Sequence, residues 1–234
     1  MPSFSIVIAA YNEGKTLKSV FDRCLAVLNE CCDEYEVIIL DDASTDSTAA
    51  VAEQIRCEYP DVVRLRSHSI NQGIAVTFEE LYRTAEKEYI FDVPADGEYP
   101  PEALLEILPL LDDYDIVICN RKFKEYTAYR RIVSYLYRLL PRILFGVELH
   151  DPGSTKCRSK SMLEQIQVTS SSVFVEAERL IRASRRGYRI GKIDVIPERR
   201  IAGDPQGAKL SNVYHATVDM ICLWLRLVVM RPKA

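Results

Sequence analysis

The sequence predicts an α/β protein: a Rossmann-like, mostly parallel central sheet flanked by helices, continued by a helical, basic C-terminal extension. Three observations predict it. Short β-branched runs alternate with helical patterns as far as about Asn120, the pattern of a doubly wound sheet. The turns after those runs carry Asp, Asn and Gly, where open α/β sheets bind ligands. Beyond Asn120 the chain turns helical and rich in arginine.

The elements follow in order. Ser5 to Ala10 reads as a buried strand, and Leu17, Val20, Phe21, Cys24, Leu25 and Leu28 then recur at helical spacing. Glu36 to Leu40 is a second strand, followed by a helix from about Ser44 to Ile55. Val62 to Leu65 is a third, with a helix from about Gly73 to Lys87. Tyr89 to Phe91 and Asp115 to Cys119 are strands separated by PPEALLEILPLL, whose Pro101 suits a first helical position. A loop and short strand are expected around Asp151 to Cys157, and a last strand near Arg189 to Ile196. With no internal repeat and no low-complexity linker, residues 1–234 read as one domain.

Composition narrows the function. A net charge of −4 speaks against a general nucleic-acid binder, so no nucleic-acid partner is expected. Seven cysteines without paired metal-ligand spacing suggest reduced thiols in a cytosolic protein rather than a disulfide framework or zinc site. The N-terminal residues lack a basic leader, and no apolar run approaches 18 residues, so neither a signal peptide nor a spanning helix is expected.

The stretch FDVPADGEYPP runs from a strand into a turn holding Asp96 and Glu98 around Gly97. Two carboxylates so spaced can converge on one Mg²⁺ or Mn²⁺, whose hard charge takes carboxylate and phosphate oxygens. The alternative is that they are the capping acids of a helix opening at Pro100-Pro101. Asp41 and Asp42 end the second strand, and Ser44 and Asp46 have the chemistry of a helix N-terminus. Arg121, Arg130, Arg131 and Arg158 offer guanidinium forks suited to phosphate or, equally, a solvated basic face. Asp151 precedes Pro152-Gly153 and could be a plain turn acid. His68, His150 and His215 show no mutual spacing of a metal site, and G-x-G-x-x-G is absent.

Taken in order, AAYNEG, DDASTDST, NQGIA and PADGEYPPE, each after one of the first four strands, resemble the nucleotide-sugar half of the family 2 inverting glycosyltransferases. The usual forms there are PxYNE, DDGSTDGT, NxGxx and DADxQxPPE. The later RKF…RRIVS, DPGSTKCR and EAERLIRASRRGYRIGKIDVIP look like the polyprenyl-phosphate, dolichol-phosphate-mannose-synthase-like branch. The resemblance covers roughly residues 4 to 210, and its strength lies in the succession of motifs.

It implies a GT-A type fold with a nucleotide-sugar half at 4–120, an acceptor half at 121–210 and an amphipathic helix at 211–234. It gives nucleotide binding to Ala10, Tyr11, Glu13, Asp41, Asp42, Asn71 and Gly73, and metal contact to Asp96 and Glu98. Asp96, Asp151, Arg121 and Arg131 become the candidate catalytic set, and Arg121, Arg130, Arg131, Ser134 and Arg158 the acceptor-binding set. Glu178 matches a family glutamate of less defined role. The chain departs from the family pattern at Pro94, which stands for the first Asp of D-x-D, and at Glu98, which stands for the usual Gln.

Val133 to Phe145 and Val218 to Lys233 mix large apolar residues with arginines. The apolar run from Met220 to Met230 makes only about 16 Å of helix, against about 30 Å of bilayer core. It fits an interfacial helix around Trp224 as well as a core, homodimer or membrane-protein-partner helix. The leading expectation is metal-dependent transfer of a hexose from a UDP- or GDP-sugar to a polyprenyl phosphate, by a protein peripheral to the cytoplasmic membrane face. The alternatives are transfer to a sugar or protein hydroxyl with Asp151 as base, and a weakened binding subunit, motivated by Pro94 and by Ala43, Ser47 and Glu80 at glycine positions.

Overall fold

A computed structural model describes residues 2–122, 128–198 and 210–230. Three β-α steps open the chain: β1 (Phe4–Ala10), α1 (Leu17–Cys31), β2 (Tyr35–Asp41), α2 (Thr48–Glu58), β3 (Val63–Ser67) and α3 (Ile74–Thr84). Then come β4 (Tyr89–Pro94), α4 (Ala103–Ile107) and β5 (Ile116–Arg121). The second half holds α5 (Ala128–Phe145), β6 (Lys156–Ser159), α6 (Lys160–Gln165), α7 (Val175–Arg185), β7 (Ile190–Val195) and α8 (Leu210–Trp224), which runs into a π-helical turn at Leu225–Val229.

The strands form one seven-stranded sheet in the order β3-β2-β1-β4-β6-β5-β7. β1 pairs in parallel with both β2 and β4, so strand order reverses between β1 and β4, where such sheets bind ligands. Both faces of β1 are buried, which explains why its sequence is a continuous apolar run rather than an alternating one. On one face, Ile6, Ile8, Val37 and Ile39 meet Leu17, Phe21, Cys24 and Leu28 of α1. On the other, Val7, Ile38 and Ile90 pack with Leu81 and Tyr82 of α3.

β6 is antiparallel to both β4 and β5. That inversion brings residues 151–155, which precede it, to the same sheet edge as the carboxyl ends of β4 and β5. A second cluster joins Ile116 and Ile118 of β5 to Phe174, Leu180 and Ile181 around α7 and to Ala216, Met220 and Leu223 of α8.

Several boundaries differ from expectation. α2 begins at Thr48 rather than near Ser44, because residues 41–47 serve the inter-strand loops instead of a helical turn. α3 ends at Thr84, after which the N–H groups of Glu86 and Lys87 donate to Glu36 Oε1 and Ser5 Oγ at the strand starts. All seven cysteines are free thiols.

Candidate active site

Three loops at the carboxyl ends of β1, β2 and β3 are laced together by side chains. Asn12 and Ala43 adopt left-handed backbone, φ 57° and 60°. The Asn12 N–H donates to Ser44 Oγ at 2.9 Å, and the Thr45 N–H donates back to Asn12 Oδ1 at 2.8 Å. Ser44 Oγ in turn donates to Asp41. Gly14 lies so close to α2 that a Cβ there would stand 2.3 Å from Ser47 Oγ, so only glycine fits. Asp46 accepts from the N–H of Thr48 at the start of α2 and from that of Gly14, whereas Ser44 is turned into the loop and caps nothing.

Asp42 is an anchor rather than an open acceptor. One carboxylate oxygen takes the Gln72 N–H at 2.8 Å and the His68 Nδ1–H at 2.6 Å; the other takes the Gly73 N–H at 2.8 Å. Burial opposes the charge, but the donors from Gln72, His68 and Gly73 outweigh it and hold the carboxyl below its usual range. His68 also meets Glu80 at 3.1 Å. Asn71 donates to the Asp42 carbonyl, and Gly73 supplies a φ of 83° that favours glycine. Ala10 is buried and contributes its carbonyl to the Asp42 N–H, Tyr11 is exposed beside this loop set, and Glu13 accepts from Thr16 at 2.9 Å.

The second group gathers at the ends of β4 and β5. Gly97, at φ 70°, bends the loop so that the Glu98 N–H donates to Asp96 Oδ1 at 3.0 Å. Arg121 closes β5 and grips Asp151 with a fork, Nε to Oδ2 at 2.8 Å and Nη2 to Oδ1 at 2.9 Å. Its third nitrogen donates to Glu98 Oε1 at 3.0 Å, and the guanidinium lies 5.7 Å from the centre of the Tyr99 ring. Asp151 sits in left-handed backbone at φ 32°, and its loop is turned by Ser154, whose N–H and Oγ both donate to the Asp151 carbonyl. Four residues picked from three separate motifs, Asp96, Glu98, Arg121 and Asp151, therefore share one cluster.

A divalent metal suits part of it. Asp96 and Glu98 supply two hard carboxylate oxygens on one turn, the number Mg²⁺-type sites take from protein when phosphate and water complete the shell. Among the described residues no group of three or more His, Cys, Asp or Glu could hold an ion without such help.

The expectation for Arg158 is corrected. It lies in β6, fully buried, between Asp92 of β4 and Glu176 of α7, with its guanidinium 4.8 Å from the centre of the Tyr82 ring. An arginine so enclosed cannot reach an acceptor phosphate. Arg131 and Ser134 lie on α5, exposed and half-buried respectively. The side chain of Arg130 falls outside the described residues. Glu178 accepts from the N–H groups of Thr169 and Ser170 and from Arg182, tying a loop to α7. Sequence reasoning missed Lys156, Glu176, Asp92 and His68; a buried-strand Asp at position 92 was the available signal, because an acid in an apolar strand needs a partner.

Comparison with known proteins bears on the family and the fold. An undecaprenyl-phosphate mannosyltransferase of Micrococcus luteus is 26% identical over 225 residues, covering 88% of this chain and 90% of that protein. An undecaprenyl-phosphate 4-deoxy-4-formamido-L-arabinose transferase of Shewanella sediminis is 30% identical over 155 residues, 64% of this chain, and the match spans 45% of that protein's length. Among solved structures, glucosyl-3-phosphoglycerate synthase of Mycobacterium tuberculosis, crystallised with Mn²⁺, UDP and phosphoglyceric acid, superposes with a TM-score of 0.75 at 17% identity. It covers 95% of this chain and 78% of that one, a likeness that establishes a shared GT-A type fold. Residues 5–167 match the glycosyl transferase family 2 domain, well over half of the sequence, and the chain belongs to that family of glycosyltransferase enzymes.

Proposed function

We propose that this chain transfers a sugar from a nucleoside diphosphate donor to a polyprenyl phosphate, working as a peripheral protein at the cytoplasmic face of a membrane. The observation that carries the reading is the convergence of Asp96, Glu98, Arg121 and Asp151 at the ends of β4 and β5. The names of the two relatives supply the acceptor class.

The division of labour follows from chemistry. Asp41 and the 11–13 and 71–73 loops are where the nucleoside would sit. Asp96 and Glu98 would hold a divalent ion, whose charge would stabilise the leaving diphosphate. Arg121, with Arg131 from α5, orients the acceptor phosphate, and Asp151 fixes the plane of the Arg121 fork. A phosphate oxygen forms the new bond to the anomeric carbon as the bond from that carbon to the β-phosphate oxygen breaks, and the nucleoside diphosphate departs with the electron pair. A phosphate that is already anionic needs positioning more than deprotonation.

That point weighs against the hydroxyl-acceptor reading, which requires Asp151 to take a proton. Both of its oxygens are occupied by charge-assisted bonds to Arg121. Membrane association is supported by apolar residues exposed along α5 and α8 beside Arg131, Arg138, Arg142 and Arg226. Among the described residues no helix is long and apolar enough to cross a membrane.

The test is transfer from a radiolabelled UDP- or GDP-hexose into an organic-extractable product, beside a panel of soluble hydroxyl acceptors. Arg121→Ala should raise the KM for polyprenyl phosphate at least 10-fold with nucleotide binding unchanged, and Arg121→Lys should recover only part of the loss, because it keeps the charge without the fork. Transfer confined to hydroxyl acceptors, indifferent to Arg121, would sink the lipid-phosphate reading.

A further inference from the structure

An ammonium group sits in the core directly behind the Asp151 loop. Lys156, the first residue of β6, is only 1% exposed. Its Nζ donates to the Pro152 carbonyl at 2.7 Å and to the Ser154 carbonyl, and it stands 3.6 Å from Glu176 Oε2. Its backbone N–H donates to Asp92 Oδ1 at 3.2 Å. Glu176 is itself held by Arg158, which is paired with Asp92, and by Arg179. A continuous set of polar bonds thus runs from β4 through β6 and α7 to the loop that presents Asp151.

Burying an ammonium is expensive, and mutational experience shows that buried ion pairs are often replaceable by apolar residues of like volume without loss of stability. Burial lowers the Lys156 pKa, which the nearby Glu176 carboxylate partly offsets. Stability alone is a weak reason for this residue. What an apolar side chain could not do is satisfy two carbonyls that point inward from the turn 152–154. Nor would arginine serve. The acceptors surround a single point, which suits three tetrahedral donors and not a planar fork.

We propose that Lys156 is a positioning residue for the transfer reaction: it fixes the turn 152–154 from behind, so that Asp151 holds the Arg121 guanidinium in the plane that meets the acceptor phosphate. The inference rests on the function proposed above for Arg121 and Asp151. Lys156 touches no reacting group. It acts by keeping Asp151 in left-handed backbone, a conformation that a loosened turn would abandon. Misplacement of about 1 Å at a reacting geometry costs on the order of 100-fold in rate.

The decisive variant is Lys156→Met, which keeps length and apolar volume and removes all three donors. Two readings are taken on the folded fraction: donor Kd, acceptor KM and kcat, and backbone hydrogen exchange. The Ser154 amide, which donates to the Asp151 carbonyl, and the Arg121 amide, which donates to Asp151 Oδ2, report the turn. Lys156→Met should lower kcat 10- to 100-fold, leave donor Kd within 2-fold, and speed exchange at Ser154 and Arg121 at least 10-fold while β1 amides stay protected. Lys156→Gln, which retains two donors, should fall between it and the native protein, and decides the matter if the Met variant does not fold. Native kcat, or faster exchange spread evenly over β1 and β2, would overturn the proposal. Native protein that transfers sugar to no lipid phosphate refutes the function above; unchanged exchange at Ser154 refutes the tie itself.

Discussion

At the scale of single residues, Asp96 is separable from its surroundings because its backbone role and its charge can be divided. Its Oδ1 accepts the Glu98 N–H, and an amide oxygen would do the same. Asp96→Asn should therefore preserve the turn, abolish the Mn²⁺-dependent increment in nucleotide affinity and lower transfer at least 100-fold; a native turnover number would remove Asp96 from the metal site. Ala43 tests a different residue-level argument. It stands at φ 60°, in the left-handed region that favours glycine, and a Cβ there costs about 1–2 kcal/mol. Glycine gives back about 0.4–1 kcal/mol through the freer unfolded chain. Ala43→Gly should accordingly raise Tm by about 1–4 °C in a domain of this size, read by calorimetry. Asp96 and Glu98 were legible in the sequence because they follow β4, and Arg121 because it closes β5, and strand ends fix where a loop begins; Asp151, which precedes β6, was picked out only by its motif. Arg158 was misread because, in sequence, it resembles Arg130 and Arg131. What sets it apart is an acid 66 residues earlier and another 18 residues later, and no local pattern announces such pairings.

At the scale of elements, the β-α steps of the first half were legible because period and length agree, whereas the second half needed packing to decide its faces. α8 illustrates this. Ala216, Met220 and Leu223 are buried against α5 and α7, while Leu210, Tyr214, Val218, Ile221 and Leu225 recur every three or four residues on the exposed side. α5 repeats the arrangement with Tyr129, Ile132, Leu136 and Ile143 exposed. A helix apolar on both sides cannot be assigned a buried face from its composition. Withdrawing one exposed isoleucine into a lipid interface is worth about 1.5–3 kcal/mol, so Ile221→Ser should weaken sedimentation with vesicles containing anionic phospholipid at least 10-fold, with donor binding intact. The same loss is expected for Ile143→Ser. Vesicle binding equal to the native protein's in both variants would move the stripe from the bilayer to another partner.

At the scale of the whole molecule, the link between β2, β3 and α3 through His68 makes stability depend on pH. Burial of the ring favours the neutral form, but hydrogen bonds to Asp42 and Glu80 outweigh it, and the His68 pKa is raised above its ordinary 6.5. Its contribution is therefore complete below pH 6.5 and lost as pH rises through the higher folded value. Asp42 runs the other way: its pKa is lowered from 3.8, so its contribution is complete above pH 3.8 and lost as pH falls through the lower folded value. Both are fully present between those limits. The native protein should show its highest Tm in that acidic window and a decline on passing to pH 8. His68→Gln keeps a donor for Asp42 and has no proton to lose, so its Tm should decline less over the same range, and the difference between the two curves should grow from pH 8 toward pH 6. Parallel curves would show that the ring carries no charge in the folded protein. The pair would then be a neutral hydrogen bond holding Gln72 and Gly73 in place through Asp42.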